Sequence, residues 1–159
     1  MNSTLYEQDF RLWIQEHIEL LQQGRVNELD TIHLIEELQD MGRSSTRELE
    51  SRLKILIAHL LKWQFQYATL ASQWQQFEGK NWRNTIIQQR SDLLDLLEDI
   101  PSLQRELPNA IAKMYPKAVQ YAVDETGLLS VTFPQICPYT VAQLLDKQFY
   151  PELPSCENK

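Results

Sequence analysis

The sequence predicts an all-α fold, an irregular helical bundle of about five principal helices around one long central helix, with a largely irregular carboxyl-terminal segment. The main observation is a stretch from Ser45 to about Trp74, in which large apolar residues recur in steps of four and three. A second apolar row lies beside this seam, and the 159 residues include only four glycines. The seam comprises Leu49, Leu53, Leu56, Leu60, Trp63, Tyr67, Leu70 and Trp74. The second row comprises Ile57, Leu61, Ala68 and Ala71.

The first predicted helix runs from Thr4 to Gly24. The Thr4 side chain can cap it while the Glu7 carboxylate returns to the Thr4 amide, which completes a capping box. Gly24 is expected to end it because a helix terminus favours a residue that tolerates left-handed backbone angles. The residues expected to face inward are Tyr6, Phe10, Trp13, Ile14, His17, Leu20 and Leu21.

A short second helix is predicted from its cap at Asp30 to Met41, with Gly42 as its end. The central helix is then expected to begin separately, because Ser45 followed by Glu48 forms another capping box. The inward face of the second helix is predicted to comprise Leu34, Ile35, Leu38 and Met41.

A fourth helix is predicted from Trp82 to about Glu98. Gly79 is expected to close the central helix before it, and Asn81 to cap the new one. Arg90 interrupts the apolar face of this helix. The row comprises Trp82, Ile86, Arg90, Leu93 and Leu97.

A fifth helical region is predicted from Ser102 to about Glu125, with Gly127 as its end. Pro108 and Pro116 each lack a backbone donor, so we expect one kink or a division into two pieces. The inward residues are predicted to be Leu103, Leu107, Ala110, Ile111, Met114, Ala118, Tyr121 and Ala122.

The carboxyl-terminal segment is predicted to be irregular as far as Tyr139 and to pack across the bundle. Thr140 with Gln143 opens a last short helix that ends at about Asp146. Phe149 and Tyr150 offer aromatic anchors after it, and the tail from about residue 155 is expected to fray.

Length and charge limit the classes of function. We expect residues 1–159 to form a single helical domain. A net charge of −7 and a pI near 5.0 argue against nucleic acid or an anionic membrane as the main partner. Cys137 and Cys156 form no Cys-x-x-Cys pair, and neither a signal peptide nor a membrane-spanning apolar run is visible. These observations favour a cytoplasmic protein.

Several short blocks together resemble the family catalogued as domain of unknown function 29, known mainly from cyanobacterial hypothetical proteins. The likeness extends from about Leu5 to Pro151, and it implies a helical single domain with no assigned activity. Ile100 and Pro108 depart from the family pattern at the start of the fifth helix. The matching blocks are Tyr6–Phe10, Leu29–Asp30, Ile35–Leu38 through Gly42, Arg47–Leu53, His59–Trp63, Trp82–Arg83, Gln89–Arg90, Pro101–Leu103 and Cys137–Tyr139.

Imidazoles and carboxylates on facing helices could bind a metal ion. The candidate ligands are His17, Glu36, Glu37 and His59. The sequence lacks the repeated Glu-x-x-His spacing of di-iron bundles, and Asp30-x-x-His33 is the nearest approach to it. The alternative is that His17 and His59 are half-buried and hydrogen-bonded, while His33 pairs with Glu37. The spacing favours this structural interpretation, and the cofactor stays unknown.

A second polar cluster is predicted from Lys62, Arg83 and Arg90. These cations could form an anion-binding or catalytic site. The favoured alternative is a salt bridge between Arg90 and Glu36 or Glu37, because a buried arginine needs a partner.

Covalent catalysis has no visible set of residues. Cys137 has no nearby histidine in the sequence, and Ser44, Ser45 and Ser102 are explained as helix caps. We therefore assign no catalytic and no cofactor-binding residue. Trp74 and Trp82 bracket the turn after the central helix and are expected to be the more exposed tryptophans.

Two functional hypotheses follow. The leading one is a non-enzymatic protein-interaction module, because apolar and aromatic positions exceed what one seam requires. It includes a protein partner or self-association, with a homodimer as the natural form. The alternative is a metal-dependent or acid–base enzyme that uses a cluster of His, Glu and Arg inside the bundle.

Overall fold

The computed structural model describes residues 4–66 and 78–152, without the side chains of residues 78–80. This part of the chain is all-α, as predicted, with six α-helices, three short 3-10 helices and no strand. The α-helices are α1 (Leu5–Gln8), α2 (Phe10–Gln22), α3 (Thr31–Phe65), α4 (Glu78–Asp99), α5 (Leu107–Thr126) and α6 (Val141–Leu145). The 3-10 helices are Val26–Glu28, Pro101–Glu106 and Ser130–Thr132.

Contacts within the chain divide it into two compact units. The amino-terminal unit is Met1–Ser45 and the carboxyl-terminal unit is Thr46–Lys159, so the boundary falls within α3. The expected single domain stays a prediction. The predictions made for Tyr67, Ala68, Leu70, Ala71, Trp74, Cys156 and the frayed tail lie outside the described residues.

The amino-terminal unit begins with two helices where one was predicted. The Asp9 backbone leaves helical geometry, and its carboxylate accepts a hydrogen bond from the Leu12 N–H at 3.0 Å. Asp9 thereby caps α2, a role that its residue type favours. The Glu7 carboxylate accepts from the Thr4 N–H at 3.1 Å, and Gly24 has φ +68°, so the predicted cap and stop are confirmed.

Helix α3 is one continuous element of 35 residues, so the predicted break between a second and a third helix is wrong. Gly42 lies inside the helix, and the Ser45 hydroxyl donates to the Met41 carbonyl instead of capping a new start. An interior glycine costs a helix only about 1 kcal/mol relative to alanine, which is too little to end a helix that gains from continuing.

The predicted inward faces of the amino-terminal unit are only partly correct. Trp13, His17 and Leu20 are buried on α2, as expected. Six other residues that were predicted to face inward are instead exposed in the structure. They are Phe10, Ile14, Leu21, Ile35, Leu38 and Met41.

The carboxyl-terminal unit contains the main core. The first half of the predicted seam is buried, with α4 and α5 supplying further core residues. On α4 the predicted row is confirmed throughout, including the buried Arg90. The seam residues are Leu49, Leu53, Leu56 and Leu60, and the α4 row is Trp82, Ile86, Arg90, Leu93 and Leu97.

The boundaries of the next two helices differ from the prediction. Helix α4 begins at Glu78, so Gly79 and Asn81 lie inside it and neither ends nor caps a helix. The fifth helical region is divided, as predicted: Pro101–Glu106 is a 3-10 helix and α5 follows it. Pro108 lies in the first turn of α5, where its missing N–H costs nothing. Gly127 ends α5 with φ +70°.

The carboxyl-terminal segment packs on this core, as expected. The Tyr139 hydroxyl donates to the Gln64 side chain at 2.8 Å, and the Tyr150 ring lies 5.1 Å from that of Trp63. Thr140 caps α6 and pairs with Gln143 as predicted. These contacts hold the residues that flank α6 against α3.

Candidate functional site

Four residues of the amino-terminal unit form a polar cluster at the start of α3. His33 Nδ1 lies 2.6 Å from Asp30 Oδ2, and the Tyr6 hydroxyl donates to Glu37 Oε1 at 2.5 Å. The Tyr6 and His33 rings stack with their centroids 3.9 Å apart. The predicted pair of His33 with Glu37 is therefore wrong, because His33 takes Asp30 and leaves Glu37 to Tyr6.

The pKa values in this cluster shift as its contacts require. The hydrogen bond to Asp30 raises the pKa of His33, and the same bond lowers the pKa of Asp30. The hydrogen bond to Glu37 raises the pKa of Tyr6 to about 12. At neutral pH, Tyr6 is thus a phenol that donates to an acceptor carboxylate.

His17 is held at both ring nitrogens. Its Nδ1 lies 2.9 Å from the Trp13 carbonyl, and its Nε2 lies 2.9 Å from the Asp30 backbone N–H, which donates to it. In this arrangement Nδ1 donates to the Trp13 carbonyl, and Nε2 is the acceptor. Trp13 Nε1 also donates to the Asp30 carboxylate, at 3.3 Å. Asp30 thus links α2 to the beginning of α3.

The candidate metal ligands are distributed over both units, with His17, Glu36 and Glu37 in the first and His59 in the second. In the part of the chain that the structure describes, no group of three or more His, Cys, Asp or Glu side chains could hold a metal ion. Both ring nitrogens of His17, the atoms that could bind a metal ion, already take part in hydrogen bonds. A site assembled from these four residues stays a prediction.

Lys62 is the centre of a second cluster, in the carboxyl-terminal unit. It is 1% exposed, and its Nζ lies 2.5 Å from Glu125 Oε2 and 3.3 Å from His59 Nε2. The ring centroids of Trp82 and Tyr121 are 5.3 Å and 5.7 Å from the same nitrogen. A carboxylate, an imidazole and two aromatic faces therefore replace the water that a buried ammonium loses.

The electrostatics of this cluster keep His59 neutral. Burial and the neighbouring Lys62 charge lower the pKa of His59, while its Nδ1 lies 2.8 Å from the Ile55 carbonyl. Nδ1 then donates to that carbonyl, and Nε2 accepts from Lys62. The hydrogen bond from Lys62 lowers the pKa of Glu125, and the bond to Glu125 raises that of Tyr121.

Arg90 joins α4 to the end of α6. Its Nε donates to the Leu144 carbonyl at 2.8 Å and its Nη2 to the Gln143 carbonyl at 3.2 Å. Burial lowers the pKa of Arg90, and the side chain is 1% exposed. The predicted salt bridge to Glu36 or Glu37 is wrong, because backbone carbonyls at a helix end supply the acceptors instead.

In the second predicted cluster, Lys62 has a different partner from the two arginines. Lys62 pairs with Glu125, Arg90 binds carbonyls, and the Arg83 guanidinium lies 5.8 Å from the Tyr150 ring centroid. The Arg90 guanidinium lies 5.7 Å from the centroid of the same Tyr150 ring. An anion site formed by the three cations together stays a prediction.

Two residues singled out in the sequence have ordinary structural environments. Trp82 is 9% exposed, so its predicted exposure is wrong: its ring covers Lys62. Cys137 is a free thiol whose pKa is raised by burial. Sequence reasoning missed Glu125 and Tyr121, which lie about sixty residues from Lys62 and carry no local signal of that contact.

Eight of the exposed apolar residues of the amino-terminal unit form what we call the amino-terminal apolar face, which leaves out Leu12 and Val26. On α2 they recur at i, i+4, i+8 and i+11, and on α3 they recur every three residues. Their exposed fractions range from 39% for Ile14 to 71% for Ile32. The face comprises Phe10, Ile14, Ile18 and Leu21 of α2 with Ile32, Ile35, Leu38 and Met41 of α3.

The helices, their caps and the buried ionic cluster define an all-α helical protein. Residues 5–150 match the family described as domain of unknown function DUF29, and the chain belongs to that family. This match confirms the resemblance that the sequence blocks indicate. No match was found among curated proteins or among solved structures. None of the described helices is long and apolar enough to span a membrane.

Proposed function

We propose that this chain is a non-enzymatic, cytoplasmic protein-interaction module that forms a homodimer through the amino-terminal apolar face. The observation that carries the proposal is the exposure of eight large apolar residues on two helices of one small unit. Large apolar side chains exposed in such number often mark a binding surface, because leaving them in water is unfavourable.

The size of the amino-terminal unit supports a partner for this face. The unit comprises residues 1–45, and its fully buried side chains on α2 are Trp13, His17 and Leu20. A helical unit near 40 residues buries too little surface to be stable by itself and usually gains stability by association. Covering the apolar face supplies the burial that the unit lacks.

A second copy of the chain fits the face better than a charged partner does. The stripes on α2 and α3 are apolar, so two copies can meet through the same patch in an isologous contact. Helix α2 and the start of α3 from two copies then supply four helical segments, which can bury such stripes against one another. The net charge of −7 repels a second copy, nucleic acid and anionic membranes alike, so added salt should strengthen the dimer.

The test compares one substitution on the face with a matched substitution elsewhere. Ile18 is 49% exposed on α2 and Ile87 is 50% exposed on α4. Ile18→Glu should raise the dimer Kd by about 100-fold or more, because the two carboxylates that the dimer buries against apolar side chains cost at least about 3 kcal/mol together. Ile87→Glu should leave the Kd unchanged.

Light scattering coupled to size-exclusion chromatography measures both outcomes. The wild type and Ile87→Glu should have twice the chain mass of 18.8 kDa, and Ile18→Glu should have the single-chain mass. The mass is measured at a chain concentration of about tens of micromolar, since modest interfaces have Kd values in the micromolar range. A monomeric wild type at that concentration would contradict the proposal. So would a dimer that only Ile87→Glu dissociates.

The second candidate function is a metal-dependent or acid–base enzyme that uses His17, Glu36, Glu37, His59 and Arg90. The Asp30–His33 pair favours some proton chemistry in the amino-terminal unit, since it pairs a carboxylate with an imidazole of raised pKa. Native mass spectrometry of protein purified without chelator tests metal binding. A stoichiometric metal that His59→Ala removes would support it, and metal-free protein would not.

A further inference from the structure

A cavity of about 460 Å³ opens in the carboxyl-terminal unit between α5 and the irregular segment that precedes α6. The α5 wall follows one helical stripe through Pro108, Ile111 and Tyr115. Residues 135–141 form the other wall, which includes Cys137 and Tyr139. The volume lies within the range of small-molecule sites in proteins, roughly 300–1,000 Å³.

The walls of this cavity carry no formal charge. All of its lining side chains are apolar, aromatic, hydroxyl, amide or thiol groups. The hydroxyls of both tyrosines are already engaged, since Tyr115 donates to the Pro134 carbonyl and Tyr139 to Gln64. Burial also raises the pKa of the Cys137 thiol, which keeps that wall neutral near pH 7. A charged ligand would lose its hydration here without gaining a counter-charge.

Three backbone N–H groups of the segment that lines the cavity have no acceptor among the described residues of the protein. In the part of the chain that the structure describes, the backbone N–H groups of Gln135, Ile136 and Cys137 donate to no protein acceptor. Ile136, another lining residue, is 82% exposed, so the cavity is accessible from solvent on that side. Peptide donors beside an apolar surface suit a ligand that has an oxygen acceptor on an apolar body.

We propose that this cavity binds a small neutral molecule with an apolar body and a carbonyl or hydroxyl oxygen. The apolar part lies against the α5 stripe, and the oxygen accepts from the free N–H groups of residues 135–137. Binding here is independent of the dimer proposed above, because the amino-terminal apolar face contributes no residue to the lining.

Prodan is a suitable probe, since it is neutral and fluorescent and has one ketone oxygen on a naphthalene body. The full chain carries Cys156→Ser, so that Cys137 is its one thiol, and Ile18→Glu, so that the amino-terminal apolar face is broken. The rate of Cys137 alkylation by iodoacetamide is measured near pH 8.5 with and without the probe. At a prodan concentration about ten times its Kd, the rate should fall roughly tenfold, because only the unliganded fraction reacts.

A matched pair of α5 variants locates the site. Ala112 lines the cavity and is exposed, so Ala112→Trp should fill the cavity without disturbing the core. Asn109 is also exposed on α5 but does not line the cavity. Asn109→Trp should keep the probe-dependent protection, and Ala112→Trp should lose it. Absence of saturable prodan binding, unchanged alkylation at saturation, or equal protection in the two variants would each overturn the proposal.

Discussion

His33 and His59 occupy opposite electrostatic environments. Asp30 raises the pKa of His33 above its ordinary value of 6.5, whereas burial and Lys62 lower that of His59 below the same value. The His33 ion pair therefore contributes stability that is complete below pH 6.5 and is lost as pH rises through the folded-state pKa. His59 is buried in its neutral form, so the free energy of unfolding decreases as pH falls below 6.5.

The first prediction concerns the order of these two titrations. The chain has three histidines, so NMR can follow the Cε1–H signal of each, with His33→Gln and His59→Gln for assignment. His33 should titrate above pH 6.5 and His59 below it. Asp30→Asn should return His33 towards the ordinary value, since it removes the charge that holds the proton. A reversed order would show that these contacts do not persist in solution.

The second prediction concerns Lys62 and Glu125. Glu125→Ala leaves a buried ammonium without its carboxylate, so it should lower the free energy of unfolding by about 2–3 kcal/mol. Lys62→Met replaces the charge with an apolar side chain, so it should lower the free energy of unfolding by less than about 1 kcal/mol. Urea denaturation measures both. Glu98→Ala, at an exposed position, serves as the control. Equal losses in the two variants would mean that the ion pair is not what stabilises Lys62.

The site could be predicted from the sequence only in part. Arg90 and His17 each lie on an apolar row, and that position alone predicts their burial. Their partners depend on the tertiary fold: Arg90 binds carbonyls 53 and 54 residues away, and the Asp30 N–H that binds His17 is 13 residues away. No local spacing specifies such contacts.

At the scale of elements, the caps at Thr4 and Thr140 were predicted correctly, whereas those at Ser45 and Asn81 were not. The boxes at Thr4 and Thr140 depend on residues three positions apart, so the sequence alone indicates them. The prediction that Gly42 ends a helix was wrong because a glycine can also lie inside a helix. Whether the helix ends or continues at a glycine depends on how the whole helix packs. Burial along the start of α3 was mispredicted because periodicity identifies an apolar face but not its partner.

The third prediction follows from the different conformations of two glycines. Gly42 is helical, and a Cβ there would meet nothing within 4 Å. Gly42→Ala should therefore raise the free energy of unfolding by about 0.5–1 kcal/mol, because alanine loses less backbone entropy. Gly127 has φ +70°, so Gly127→Ala should lower it by about 1 kcal/mol.

Chemical denaturation of both glycine variants checks the third prediction. Changes of opposite sign support a continuous α3 and a left-handed end to α5. A loss of stability in Gly42→Ala would indicate instead that α3 breaks at Gly42 in solution, as two separate helices would require.

At the scale of the whole molecule, burial is unevenly distributed. The carboxyl-terminal unit surrounds a core from α3, α4, α5 and the segment that follows them. The amino-terminal unit satisfies polar groups through Asp30 and Tyr6, yet leaves an apolar stripe exposed on α2 and another on the start of α3. Satisfied polar groups beside exposed apolar ones are typical of a surface that is prepared for association.

The most direct test is an NMR experiment on a mixture of two isotopic forms. Chains with ¹³C-labelled isoleucine methyl groups are mixed with unlabelled chains, and filtered spectra retain only contacts between copies. A dimer formed by the amino-terminal apolar face should give intermolecular contacts at Ile14, Ile18 and Ile35, and none at Ile87 or Ile136. Intermolecular contacts confined to Ile87 or Ile136, or none at any isoleucine, would contradict a dimer formed by the amino-terminal apolar face.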